Sequence, residues 1–146
     1  MSKKLFILPA LLTLFAAFFV VSCNDESCDI EQADFLGQYA VVEDCSASTP
    51  AAYNVTITAG ASATELLLAN VWDSFSAPVN ATIDCGNITI SRQEPDNDDY
   101  FVEGTGTLEK RDNDVVVITI SYKVTDETDP ANIATDNCSS TVYTKL

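Results

Sequence analysis

The chain has no histidine. That removes the commonest general base, the commonest metal ligand and the side chain whose charge switches near neutral pH. Every Ser-His and Cys-His nucleophile pairing goes with it. Cations are scarce, 7 Lys and Arg against 22 Asp and Glu, which argues against nucleic acid or anionic headgroups as partners held by long-range attraction. Tryptophan and methionine occur once each. Helical periodicity is missing almost everywhere, so a helical domain is not expected.

The N-terminus is the most explicit part of what is present. Met1-Ser2-Lys3-Lys4 is a short positive segment, and Leu5 to Val21 is apolar apart from Pro9 and Thr13. A charged start, a short apolar run and small residues at its end describe a secretory signal. The apolar run is 17 residues, at the lower limit for spanning a bilayer. No basic stop-transfer cluster follows it.

The ending Val20-Val21-Ser22-Cys23 resembles the bacterial lipobox. That resemblance implies cleavage after Ser22 and acylation of Cys23, which makes the membrane a partner through a lipid anchor. Each buried acyl methylene adds roughly 0.8 kcal/mol of anchoring. Asn24-Asp25-Glu26 is similar to the acidic export signal of Bacteroidota lipoproteins. It implies the outer membrane, displayed at the cell surface rather than facing the periplasm.

The expected organisation is therefore a lipoprotein signal peptide over 1–22, a lipidated acidic tether over 23–34 and a β domain over 35–146. Residues 1–22 hold two lysines and no acid, so the rest carries 5 cations against 22 carboxylates, a formal charge of −17. The remaining 124 residues are enough for one domain with a core. With Cys23 assigned to lipid, Cys28, Cys45, Cys85 and Cys138 are left. An even number in an exported chain implies two disulfides, with three pairings open. Their wide spacing is unlike the close Cys pairs of zinc sites.

From Phe35 onward β-branched and polar residues alternate. Strands are expected over Gly37 to Asp44, Tyr53 to Thr58, Glu65 to Val71, Val79 to Cys85, Asn87 to Ser91, Tyr100 to Lys110, Val115 to Val124 and Cys138 to Lys145. Asp84-Cys85-Gly86-Asn87 and Arg111-Asp112-Asn113-Asp114 read as hairpin turns. Eight short strands with turns between them predict an all-β, antiparallel, up-and-down barrel, with a β-sandwich as the alternative. Gly104 and Gly106 share one strand face, as a bend or close approach requires. If the first and last strands pair, Cys45 meets Cys138, and Cys28 is left to pair with Cys85.

Phe35-Leu36-Gly37-Gln38-Tyr39 resembles the Gly-x-Trp motif of lipocalins, with tyrosine in place of tryptophan. The late arginine that lipocalins stack on that ring is represented only by Lys145. The resemblance covers 35–146 and implies a lipocalin-like barrel with an apolar mouth or interior for a small ligand.

Trp72, Phe75 and Tyr100 are candidates for lining a ligand mouth, against the plainer reading of core or rim packing. Arg92 is a candidate for orienting a polar or anionic ligand, against a surface ion pair. Asp96-Asn97-Asp98-Asp99 and Asp112-Asn113-Asp114 offer oxygen ligands to calcium, but neither has the full calcium-loop spacing, and they read as solvated turns. Asn54, Asn80, Asn87 and Asn137 head glycosylation-type triplets and are read as outward polar positions of strands. No catalytic constellation, metal site or cofactor is expected. The expected function is a lipid-anchored, non-catalytic module binding a small apolar or amphiphilic ligand. The alternative is an accessory or adhesion module that binds protein or glycan through its exterior, with a packed interior. A carboxylate-based hydrolase is a distant third.

Overall fold

Alternation along the strands is matched by burial. The computed structural model describes residues 29–47, 51–112 and 115–146. The signal segment, Cys23 and Cys28 lie outside the described residues. Eight strands follow in chain order: β1 (Gly37–Glu43), β2 (Ala51–Ala59), β3 (Glu65–Ala69), β4 (Val79–Asp84), β5 (Asn87–Gln93), β6 (Tyr100–Arg111), β7 (Val115–Asp126) and β8 (Ala134–Lys145). Each pairs antiparallel with its sequence neighbours, and β1 pairs with β8 through Tyr39↔Lys145 to Val42↔Val142. The sheet is a closed barrel, not a sandwich.

The third and last strands differ from expectation. β3 ends at Ala69 because Asn70 turns left-handed, φ 69°, so Val71 enters a tight turn, Val71–Asp73. β8 starts at Ala134 because its polar opening residues pair with the end of β7, Asp126↔Ala134 to Lys123↔Asn137. The register then shifts near Ser140, whose φ is 61°. This bulge changes parity, so Asp136 and Cys138 before it and Thr141 and Tyr143 after it are all buried.

The Asp84–Asn87 hairpin forms as expected, with positive φ at both Cys85 and Gly86, the requirement of a type I′ turn. Arg111 pairs with Val115, while Asn113 and Asp114 of that turn lie outside the described residues. Gly104 pairs with Tyr122 and Gly106 with Ile120. A Cβ at Gly104 would lie 2.6 Å from the Ser121 carbonyl oxygen, and one at Gly106 would lie 2.5 Å from that of Thr119. Only glycine lets the two strands coil this closely at the place where the barrel curves.

One end of the barrel is closed by α1 (Gln32–Phe35), whose Phe35 is fully buried. The Tyr39 hydroxyl donates to the Phe35 carbonyl at 2.8 Å. Lys110 pairs with the Asp34 carboxylate at 2.9 Å and Lys145 donates to the Asp34 carbonyl at 3.1 Å. The stretch expected to be tether through Asp34 is thus folded from Ile30 onward, since Ile30 packs on the core and a capping box starts the helix at Glu31.

The interior is packed. Tyr39, Val55, Leu66, Leu68, Val102, Ile118, Ile120 and Tyr143 all show 0% exposure. A void large enough for water would give its walls some accessible surface, so none borders these side chains.

Candidate site at the open rim

The end opposite α1 carries the ends of β1, β3, β5 and β7 and the starts of their partners. Here the inward face stops being apolar. Glu43, in line with Tyr39 and Val41, is 4% exposed. Its carboxylate accepts the Tyr53 hydroxyl at 2.7 Å and the Tyr122 hydroxyl on the same oxygen. Tyr53 in turn accepts the backbone N–H of Trp72 at 3.0 Å. Burial, then the hydrogen bond to Glu43, holds the Tyr53 phenol far above its ordinary range. Burial drives Tyr122 and Tyr143 in the same direction. The Thr141 and Tyr143 hydroxyls are buried without a hydrogen-bond partner among the described residues.

Over this polar floor lies the Trp72 turn. Asn70, Trp72 and Asp73 all have positive φ, at 69°, 59° and 49°. For asparagine this is tolerated, but for tryptophan it is strained, and it persists only where the surroundings hold it. They do: Asn70 Nδ2 donates to the Asn54 carbonyl at 3.0 Å, Tyr53 anchors Trp72, and the Trp72 indole Nε1 donates to Asp136 at 3.4 Å. Trp72 rests on Phe75 at 5.8 Å and on Tyr100 at 6.0 Å between ring centroids.

Between these rings and the start of β8 is a cleft of about 240 Å³, lined by Ala47, Trp72, Tyr100, Val124, Asp126, Ala134, Thr135 and Asp136. Asp136 is 7% exposed and accepts the Ala47 N–H at 2.7 Å. Asp126 accepts the Tyr100 hydroxyl at 3.1 Å. Hydrogen bonds from the Thr128 side chain and backbone hold the Asp126 carboxyl below its ordinary range, so it is an anion at neutral pH. Immediately beside the cleft, the Cys45–Cys138 disulfide fastens the end of β1 to β8, as strand pairing predicts. Cys85 is also disulfide-bonded; its expected partner, Cys28, lies outside the described residues.

The structure brings Trp72 and Tyr100 together in the cleft and puts Phe75 beneath Trp72, 4% exposed, as packing. Arg92 is placed elsewhere, on the outside, paired with Glu127 at 2.5 Å and stacked on Phe101 at 3.8 Å. The Asp96 carboxylate caps the N–H groups of Ser76 and Ala77 at 2.8 and 2.6 Å, the work of a turn residue. Asn54, Asn80, Asn87 and Asn137 all face outward and are exposed. Among the described residues, one acid–sulfur cluster, Glu43 with Cys45 and Cys138, has metal-ligand spacing. Both of its sulfurs are committed to the disulfide.

The sequence reading missed Glu43, Tyr53, Tyr122 and Asp136 as site residues. Glu43 was detectable as a charge at an inward position of its strand. Asp136 was not, because the expected strand began two residues after it. No known family model matches the chain, and no curated protein matches its sequence.

Proposed function

We propose that this protein is a lipid-anchored, non-catalytic binding module of the bacterial outer membrane, displayed at the cell surface through Cys23, which takes a small amphiphilic ligand at the open rim of its barrel. The observation that carries this reading is the rim cleft, where Trp72, Tyr100, Asp126 and Asp136 converge above a filled interior. Concave sites with aromatic walls and a few placed polar groups are the usual form of small-molecule sites. The packed core weighs against a ligand deep inside, because admitting one would require displacing close-packed side chains. Glu43 sits behind two tyrosines, out of a substrate's reach, which weighs against carboxylate catalysis. The lipocalin-like reading gains support from Lys145, whose ammonium lies 6.0 Å from the Tyr39 ring centroid, near the limit of cation–π reach.

One observation favours a second reading, a glycan or protein partner on the exterior. The outer face of β5 to β8 forms a mostly apolar hollow of about 490 Å³ with Thr89, Thr105, Ser121, Asn137 and Ser139 among its lining. The test is a native mass spectrum of the protein purified from membranes in detergent, together with a Cys23→Ser variant. Acyl mass on the wild type, its loss in the variant and a stoichiometric small molecule are expected. A soluble, unacylated wild type rejects the anchor. A ligand-free spectrum whose Trp72 emission no small-molecule probe shifts rejects the rim site.

A further inference from the structure

We propose that the rim cleft selects a small organic cation, an amine or quaternary ammonium with a short apolar body. The inference rests on the rim reading above and names its ligand class. Trp72, Tyr100 and Val124 give the cleft apolar lining, and Asp126, Thr135 and Asp136 give it polar groups. Among the described residues, no lysine or arginine lines it. The polar edges of both rings are already engaged: Trp72 Nε1 donates to Asp136 and the Tyr100 hydroxyl donates to Asp126. What the rings leave to a ligand is their carbon framework, and Asp126 adds negative charge. A cation meets both needs, through its attraction to the ring quadrupole and to the carboxylates.

The same inventory disfavours the other classes. An anion would be desolvated against two carboxylates with no positive group to receive it. With the indole N–H and phenol spent, the described lining leaves a neutral sugar one side-chain donor, the Thr135 hydroxyl. Size agrees: about 240 Å³ is below the usual range for drug-sized ligands.

Charge over the rim points the same way. Segment 94–99 contributes four carboxylates and 126–129 contributes three. Arg92 and Lys123, the cations beside them, are paired with Glu127 and Glu103. Lys110 and Lys145 are held at the opposite end, on Asp34 of α1. The resulting field concentrates cations at the rim and repels anions.

Trp72 is the only tryptophan, so its emission reports on the cleft without a label. The full chain in detergent is titrated with choline and with 3,3-dimethylbutan-1-ol, its neutral isostere. Choline is expected to shift the emission saturably and to bind about tenfold more tightly than the alcohol. Asp126→Asn is expected to weaken choline more than the alcohol and so to remove most of that preference. Higher ionic strength should weaken choline alone, a readout that does not depend on a variant folding. An alcohol that binds as well as choline, or a choline affinity indifferent to salt, overturns the cation while leaving the rim site standing. Saturation by neither probe overturns both.

Discussion

At the scale of single residues, the barrel holds five tyrosines in very different circumstances. Burial pushes Tyr39 up to about 12. Tyr53, Tyr122 and Tyr143 move up as well, with burial the leading cause. Tyr100 is raised chiefly by its hydrogen bond to Asp126. A phenol whose folded pKa exceeds its unfolded value, about 10, leaves the folded state holding more protons above that pH. Its contribution to stability is full below pH ~10 and is lost as pH climbs toward the folded values. Absorbance at the tyrosinate band should therefore gain at most the share of one phenol, Tyr100, through the pH where free tyrosine titrates, and the rest should rise together with unfolding. A larger tyrosinate titration near the ordinary value, in a protein still folded by circular dichroism, would contradict the buried arrangement.

Two phenols separate satisfied from unsatisfied burial. Tyr122→Phe removes a donor from the buried Glu43 carboxylate and should cost about 2 kcal/mol. Tyr143→Phe removes a hydroxyl that has no partner among the described residues and should be neutral or stabilising by up to ~1 kcal/mol. Urea midpoints of the two variants decide it. Equal losses would mean that Tyr143 has a partner inside the barrel.

At the scale of elements, closure of the sheet rests on two local devices. The Cys45–Cys138 bond joins positions 93 apart in sequence, for which entropy models give roughly 4–5 kcal/mol and measured bridges often less. Replacing both cysteines by serine should lower the unfolding midpoint markedly while keeping strand content. Gly104→Ala should also be costly, about 2 kcal/mol or more, because the added methyl meets backbone and not a flexible side chain. A Gly104→Ala barrel with unchanged stability would show that β6 and β7 can relax apart there.

These elements also show what could be read from the sequence. Alternation marked the eight strands, since inward residues such as Val55, Ile57, Ile88 and Ile90 stand every second place. The disulfide followed from pairing the first strand with the last. The start of β8 was not legible, because Ala134 to Asn137 is polar and resembles a loop until its pairing with β7 is known. The Ser140 bulge hid the inward parity of Asp136 in the same way. Trp72 and Tyr100 were picked out as aromatics near a mouth, but the carboxylates facing them were lost among 22 acids. Arg92 was a candidate ligand contact weighed against a surface ion pair, and the structure gives it the ion pair, with Glu127, and the Phe101 ring.

For the whole molecule, the barrel is polarised. The end that follows the tether is plugged by Phe35 and tied by Lys110 and Lys145, while the far end is acidic and carries the aromatic cleft. The central claim is that a ligand is taken at the rim and not inside the barrel. The most direct measurement is the amide and indole NMR spectrum of the isotope-labelled protein during a choline titration. A ligand at the rim should shift the single Trp72 indole N–H and the Tyr100, Asp126 and Asp136 amides, with Leu66, Ile118 and Ile120 unmoved. Shifts centred on those interior strands, with the Trp72 indole unchanged, would contradict the rim site.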